Sequence, residues 1–189
     1  MTKNKSSEEY FEESDSIFLV GEINEQTYLE ISKQLRYKLY LGLSPVKLYI
    51  NSNGGELESA LGIIDEFSFF EKQNKEIWTI AIGEACSSAA AILGFGTKRF
   101  ATNNALIMLH PMSYDLGESE HQASKSYVLF ADKVYNNLMT SLAMRCGRGD
   151  SKAINKFIND VRDGHWMDMD EAIKFGIIDK EWDFSLENI

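Results

Sequence analysis

Cysteine is scarce in this sequence: Cys86 and Cys146 are the two, with no C-x-x-C spacing. That gives no cysteine metal framework and suits a reducing compartment. Histidine is scarce too, and His110, His121 and His165 lack H-E-x-x-H spacing, so no metal site is expected. Basic residues are outnumbered, 19 Lys and Arg against 29 Asp and Glu for a net charge of −10, and they form no run. A nucleic-acid backbone is therefore not an expected partner, and the acidity reads as solubility. No apolar run approaches the ~20 residues that cross a bilayer. Met1 to Asp15 lacks the apolar centre of a signal peptide. The expectation is a cytosolic protein without a membrane segment. Internal repeats are missing as well.

What is present is enough chain, 189 residues, for one domain with a substantial core. Its organising stretch is Ile80 to Gly94, a β-branched apolar run that stops at small residues and resumes as an Ala-rich segment. This is a strand handing over to a buried helix, with Ser87 at the corner. A hydroxyl there projects from the backbone beside the free N–H groups of the first helical turn, which can stabilise an oxyanion. Small Ala85, Cys86, Ser88 and Ala89 allow a substrate carbonyl to approach. The stretch is not the G-x-S-x-G elbow of hydrolases. By itself it leaves Ser87 open between a helix N-cap and a nucleophile.

Residues 1–15 read as a polar, mobile tail. A strand over Ile17 to Val20 ends at Gly21, and a helix follows from Asn24 through Leu39. Val46 to Ile50 is the next strand, leaving through the turn-forming Asn51-Ser52-Asn53-Gly54-Gly55. The apolar face of Leu57, Ala60, Leu61, Ile64 and Phe67 predicts a helix to about Lys72, and Ile77 to Ile82 is a strand. Strand, helix, strand at this length is a right-handed βαβ crossover with parallel strands. Ala105 to Leu109 is a further strand, ending at His110-Pro111. The Gly54-Gly55 loop, Ser87 and His110 thus all follow carboxyl ends of strands, the edge where open α/β sheets bind ligands. A long helix is expected from about Ser119 to Arg145, apolar over more than one face, which fits either core burial or a subunit interface. A helix over residues 151–162, a short helix closed at Gly176, and an ordered end near Asp179 complete the reading.

A serine hydrolase needs a nucleophile, a base, a carboxylate and backbone donors. The chain offers candidates in the order Ser, His, Asp. Over Ile17 to Trp182 their spacing resembles the ClpP family of self-compartmentalised serine peptidases. Leu48-Tyr49-Ile50-Asn51-Ser52-Asn53-Gly54-Gly55 is similar to the family's Y-I-N-S-P-G-G loop, with Asn53 in place of Pro. Gly83-Glu84-Ala85-Cys86-Ser87-Ser88-Ala89 is similar to G-Q-A-A-S-M-G, and Ile107-Met108-Leu109-His110-Pro111 to I-M-I-H-Q-P. Asp170-Glu171-Ala172 through Asp179 resembles the closing E-A-x-x-Y-G-L-V-D.

The resemblance implies an α/β fold of ClpP/crotonase type: repeated β-β-α units, a parallel sheet and a protruding long-helix handle. One peptidase domain would span residues 16–183, with the handle at about 115–149 and a short tail over 184–189. It implies a serine endopeptidase without cofactor or metal, in which Ser87 attacks, His110 takes the proton, and Gly55 and Ser88 N–H groups form the oxyanion hole. Each such donor is typically worth ~3 kcal/mol. The implied setting is a homo-oligomer of stacked rings, heptameric as is usual in the family, that receives polypeptides from an AAA+ unfoldase. One departure stands out: the family's catalytic Asp aligns with Gly164. Asp163, one residue earlier, is taken as the orienting carboxylate through a one-residue bulge at Gly164. A ring subunit that has lost its triad, and a crotonase-like acyl-CoA enzyme that needs no Ser87, are the other readings.

Overall fold

The computed structural model describes residues 12–112 and 121–186. In chain order its elements are β1 (Ser16–Ile23), α1 (Glu25–Tyr40), β2 (Val46–Gly55), α2 (Leu57–Lys72), β3 (Ile77–Cys86), α3 (Ser88–Phe95), β4 (Lys98–Ala101) and β5 (Leu106–Leu109). There follow α4 (His121–Arg145), α5 (Ser151–Asp160), β6 (His165–Met167), α6 (Met169–Phe175), β7 (Lys180–Glu181) and a 3-10 turn at Phe184–Leu186. The strands form one sheet in the order β1-β2-β3-β4-β7, every pair parallel. β5 also joins β3 in parallel, and β6 runs antiparallel to β5. This is the mixed α/β architecture with a parallel sheet that the sequence predicts.

Helix boundaries follow local chemistry. Asn24 caps α1 by accepting from Thr27 N–H, and Asp150 caps α5 through Ala153 N–H. Asp168 and Glu171 form a reciprocal capping box at the start of α6, which Gly176 closes in the left-handed conformation. The main core lies between the sheet and its helices, where Leu48, Ile50, Ile63, Phe67, Ala90 and Leu93 are buried. The opposite sheet face carries a second cluster, Tyr49, Ile80, Phe100 and Trp182. Trp182 packs edge-on at 5.0 Å from Phe100 and 6.1 Å from Tyr49. The ordered chain therefore runs past Asp179, where the sequence placed its end, because an aromatic layer contributed by three other strands holds the later residues down.

The strands are also longer than expected. β1 continues beyond Gly21, β2 continues through Asn51 to Gly55, and β3 runs past Ile82 to Cys86. Register shifts fall between Val20 and Glu22 and between Ile50 and Ser52, so the sheet bends there instead of stopping. The Asn51 side chain bridges the bend by accepting from Glu84 N–H at 3.2 Å. A Cβ on Gly83 would meet that same oxygen at 2.6 Å. At this bend β3 changes partners, pairing with β4 over Trp78 to Ala81 and with β5 over Glu84 to Cys86. The bent ends bring the Gly54-Gly55 segment, Ser87 and the exit of β5 together.

The long helix divides along its length. Tyr127 and Phe130 are exposed, whereas Ala131, Leu138, Met139 and Leu142 are buried. Core burial accounts for its second half. Residues 119–120, where its start was expected, lie outside the described residues, as do residues 1–11 of the N-terminal segment. The described part of that segment is tied down: Lys38 Nζ donates to the Glu12 carbonyl at 2.7 Å, and Lys47 Nζ lies 3.1 Å from the Asp15 carboxylate.

Candidate active site

Ser87 occupies the N-cap position of α3, yet its side chain makes no capping hydrogen bond. Its backbone stands at φ 57 and ψ −125, an unfavourable region for a residue with a Cβ. Such a conformation typically costs about 1–3 kcal/mol and persists only where its surroundings enforce it. Here Ser87 N–H donates to the Met108 carbonyl at 2.7 Å, locking the corner to β5 two residues before His110. The Ser87 carbonyl meanwhile begins the α3 ladder by accepting from Ala91 N–H at 3.2 Å.

The glycine loop closes on the same corner. A Cβ on Gly54 would stand 2.7 Å from the Cys86 carbonyl and 2.8 Å from Ser87 Cβ. One on Gly55 would fall 2.1 Å from the Ile23 carbonyl. Both positions are therefore restricted to glycine by contact as well as by their φ of +98 and +153. Ser88 Oγ donates to the Gly55 carbonyl at 3.2 Å, joining the loop to the first turn of α3. The two backbones expected to supply oxyanion donors are thereby held to one another.

Ser87, Ser88, Gly55 and His110 line one cavity of about 250 Å³. Leu57, Ala91, Leu138 and Met139 give it apolar walls, and Glu56 and Glu58 also line it. Such a space accepts an apolar side chain beside the serine. Two of its tyrosines bond out of α4: Tyr127 OH donates to Glu58 at 3.0 Å, and Tyr135 OH donates to the His110 carbonyl at 2.8 Å. In the sequence Tyr127 and Tyr135 read only as positions on the long, broadly apolar helix. The one available signal was their hydroxyls, which need partners even on an apolar face.

Cys86, beside the serine, is not a competing nucleophile. Burial, followed by the nearby Glu84 carboxylate, pushes its thiol up to about 11, so it stays protonated at neutral pH. His165 is spent on packing against the Phe175 ring, 4.8 Å away.

Asp163 stands apart from this group. It is exposed, in the turn that follows α5, and its carboxylate makes no hydrogen bond to the His110 ring. The β5–β6 ladder is regular through Leu109 opposite His165, and continuing it by one residue sets Gly164 opposite His110. Gly164 has φ +85, and a Cβ there would meet nothing within 4 Å. Of the carboxylates on either side in sequence, Asp160 pairs with Lys156 at 2.6 Å and Asp168 is committed to its capping box.

A protein-family model described as Clp protease matches residues 2–182 of the chain. The chain is also 34% identical over 137 residues to ATP-dependent Clp protease proteolytic subunit 4, chloroplastic, of Arabidopsis thaliana. That alignment covers 71% of this chain and 44% of the relative, so the match spans less than half of the plant protein's length. With nearly its whole length matched, and its bent strand ends gathering serine, histidine and paired glycines around one cavity, the chain belongs to the Clp protease family.

Proposed function

We propose that this protein is a serine endopeptidase that cuts unfolded polypeptides inside a homo-oligomeric chamber. The observation that carries this reading is the Ser87 hydroxyl: it sits at a helix start, caps nothing, and shares a cavity with His110. Ser87 Oγ attacks the scissile carbonyl while His110 takes its proton. The oxyanion is received by the N–H groups of Gly55 and Ser88, and His110 then protonates the departing amine. Water, activated by the same imidazole, releases the acyl group from Ser87. Asp163 orients His110 in this proposal once the turn around Gly164 closes toward the ring. Stacked rings, an AAA+ unfoldase that feeds them, and a reducing cytosolic setting complete the reading. It is supported by family membership and by the words "ATP-dependent" in the relative's name.

A second reading is favoured by one observation, the glycine opposite His110: a ring subunit that keeps fold and interface without catalysis. Intact-mass spectrometry after incubation with a fluorophosphonate separates the two. Stoichiometric labelling that Ser87→Ala removes and Asp163→Ala slows is the expected result. An assembled protein that takes no label is the non-catalytic subunit.

A further inference from the structure

A general base works only if its ring is held within hydrogen-bond reach of the nucleophile. Nothing described holds the His110 ring directly: none of the hydrogen bonds among the described residues involves its imidazole. Its main chain is hardly better supported. The β5–β6 pairing ends at Leu109, and the next residue, Pro111, has no N–H to extend a ladder. The His110 carbonyl is taken instead by Tyr135 OH at 2.8 Å.

Tyr135 is well placed to fix that carbonyl. Its ring packs against the main core, and its hydroxyl lies at the cavity that holds Ser87. Burial pushes its pKa up to about 12, so it remains a neutral donor at any working pH. The helix that carries it, α4, is at the same time seated on α3, the helix that Ser87 begins. Arg145 donates to the Phe95 carbonyl at 3.0 Å and stacks over the Phe95 ring at 4.9 Å. Leu142 lies so close over Gly94 that a Cβ there would fall 2.2 Å from its Cδ1. One rigid helix thus grips the serine's helix at its far end and the histidine's carbonyl at its middle.

We propose that Tyr135 is a positioning residue that sets where His110 stands relative to Ser87, through the bond from its hydroxyl to the His110 carbonyl. This rests on the peptidase reading above, and α4 is then the spacer between nucleophile and base. Tyr135→Phe removes the hydroxyl and keeps the packed ring. The expected result on the assembled protein is a fall of about 10- to 100-fold in kcat for a peptide ester and in the rate of fluorophosphonate labelling at Ser87, the penalty typical of a base misplaced by about an ångström. KM stays at its native value, and the thermal midpoint falls only by the few degrees that one lost hydrogen bond costs. Leu138→Ala, in the cavity wall, should do the opposite and move KM.

Native kcat and labelling in Tyr135→Phe would overturn the proposal. So would a lower kcat accompanied by an equal loss of thermal stability, which is the mark of a structural residue. Ser87→Ala identifies failure of the peptidase reading, since labelling that survives it belongs to another group. A readout independent of catalysis is the His110 imidazole signal in histidine-labelled protein. Tyr135→Phe should shift or broaden it and leave that of His165 in place, and an unchanged His110 signal counts against the proposal.

Discussion

The corner around Ser87 and the turn around Gly164 are both tight, glycine-dependent pieces of chain next to His110, and they differ in how firmly they are held. At the corner, a Cβ on Gly54 or Gly55 would collide with main-chain or Cβ atoms at 2.1 to 2.8 Å, and Ser87 is bonded across to β5. At the turn, a Cβ on Gly164 meets open space, and Asp163 is exposed. The proposed nucleophile and oxyanion donors are thus built into the packed sheet, while the proposed orienting carboxylate is exposed on a turn with open space beside its glycine. Strain at Ser87 is sustained by surroundings that leave it no alternative. Gly164, whose Cβ would meet nothing within 4 Å, is under no comparable pressure.

The largest test of that contrast is Ser87→Ala. Alanine bears the same backbone strain as serine, so the thermal midpoint should hardly move, while peptide hydrolysis drops by about six orders of magnitude, as for nucleophiles that act within a triad. A peptidase assay beside a melting curve checks both. At the other site, Asp163→Ala should slow hydrolysis by up to about four orders of magnitude if that carboxylate orients His110. Adding Gly164→Asp in the same chain moves the carboxylate by one position into the open space opposite His110. At least tenfold recovery is expected, and a rate as low as in Asp163→Ala would place the orienter elsewhere.

Alanine at the two glycine sites sharpens the comparison in stability. Gly55→Ala should cost about 3 kcal/mol or more, because the main chain of β1 must move. Gly164→Ala should cost only about 1–2 kcal/mol for its left-handed backbone. Denaturant melts measure the difference, and equal costs would show that the corner is no stiffer than the turn. The smallest expected effect is alkaline. The Cys86 and Cys146 thiols are raised by burial to about 11 from a usual 9.0. A raised folded-state pKa gives stability that is whole below pH 9 and fades as the pH climbs to about 11. The thermal midpoint should decline across that window, and less steeply in Cys86→Ser.

Much of the candidate site is legible in the sequence because its signals are local. Glycine pairs, a small-residue corner and a strand ending in His-Pro can be read within a few residues, and their spacing matched a family pattern. Three things were not legible. Glycine and asparagine at positions 51–55 and at 83 read as turns, yet parallel neighbours supply the hydrogen bonds that let a bent strand continue through them. The packing of Trp182, beyond the ordered end expected near Asp179, is not legible because its partners Tyr49 and Phe100 are remote in sequence. Tyr135 read as one more apolar position on a helix, since the carbonyl it bonds belongs to a residue 25 positions away.

By itself the sequence determined the order of the main strands and helices, and which serine, histidine and glycine residues follow the strands. These follow from side-chain periodicity and from backbone freedom, which act over a few residues. The tertiary structure decided which of those residues meet. It left the Ser87 hydroxyl without a capping bond, pressed the glycine loop against it, bonded Tyr135 to the His110 carbonyl and kept Asp163 in solvent. Close approach between distant segments is set by packing of the whole sheet and its helices, and no stretch of sequence contains it.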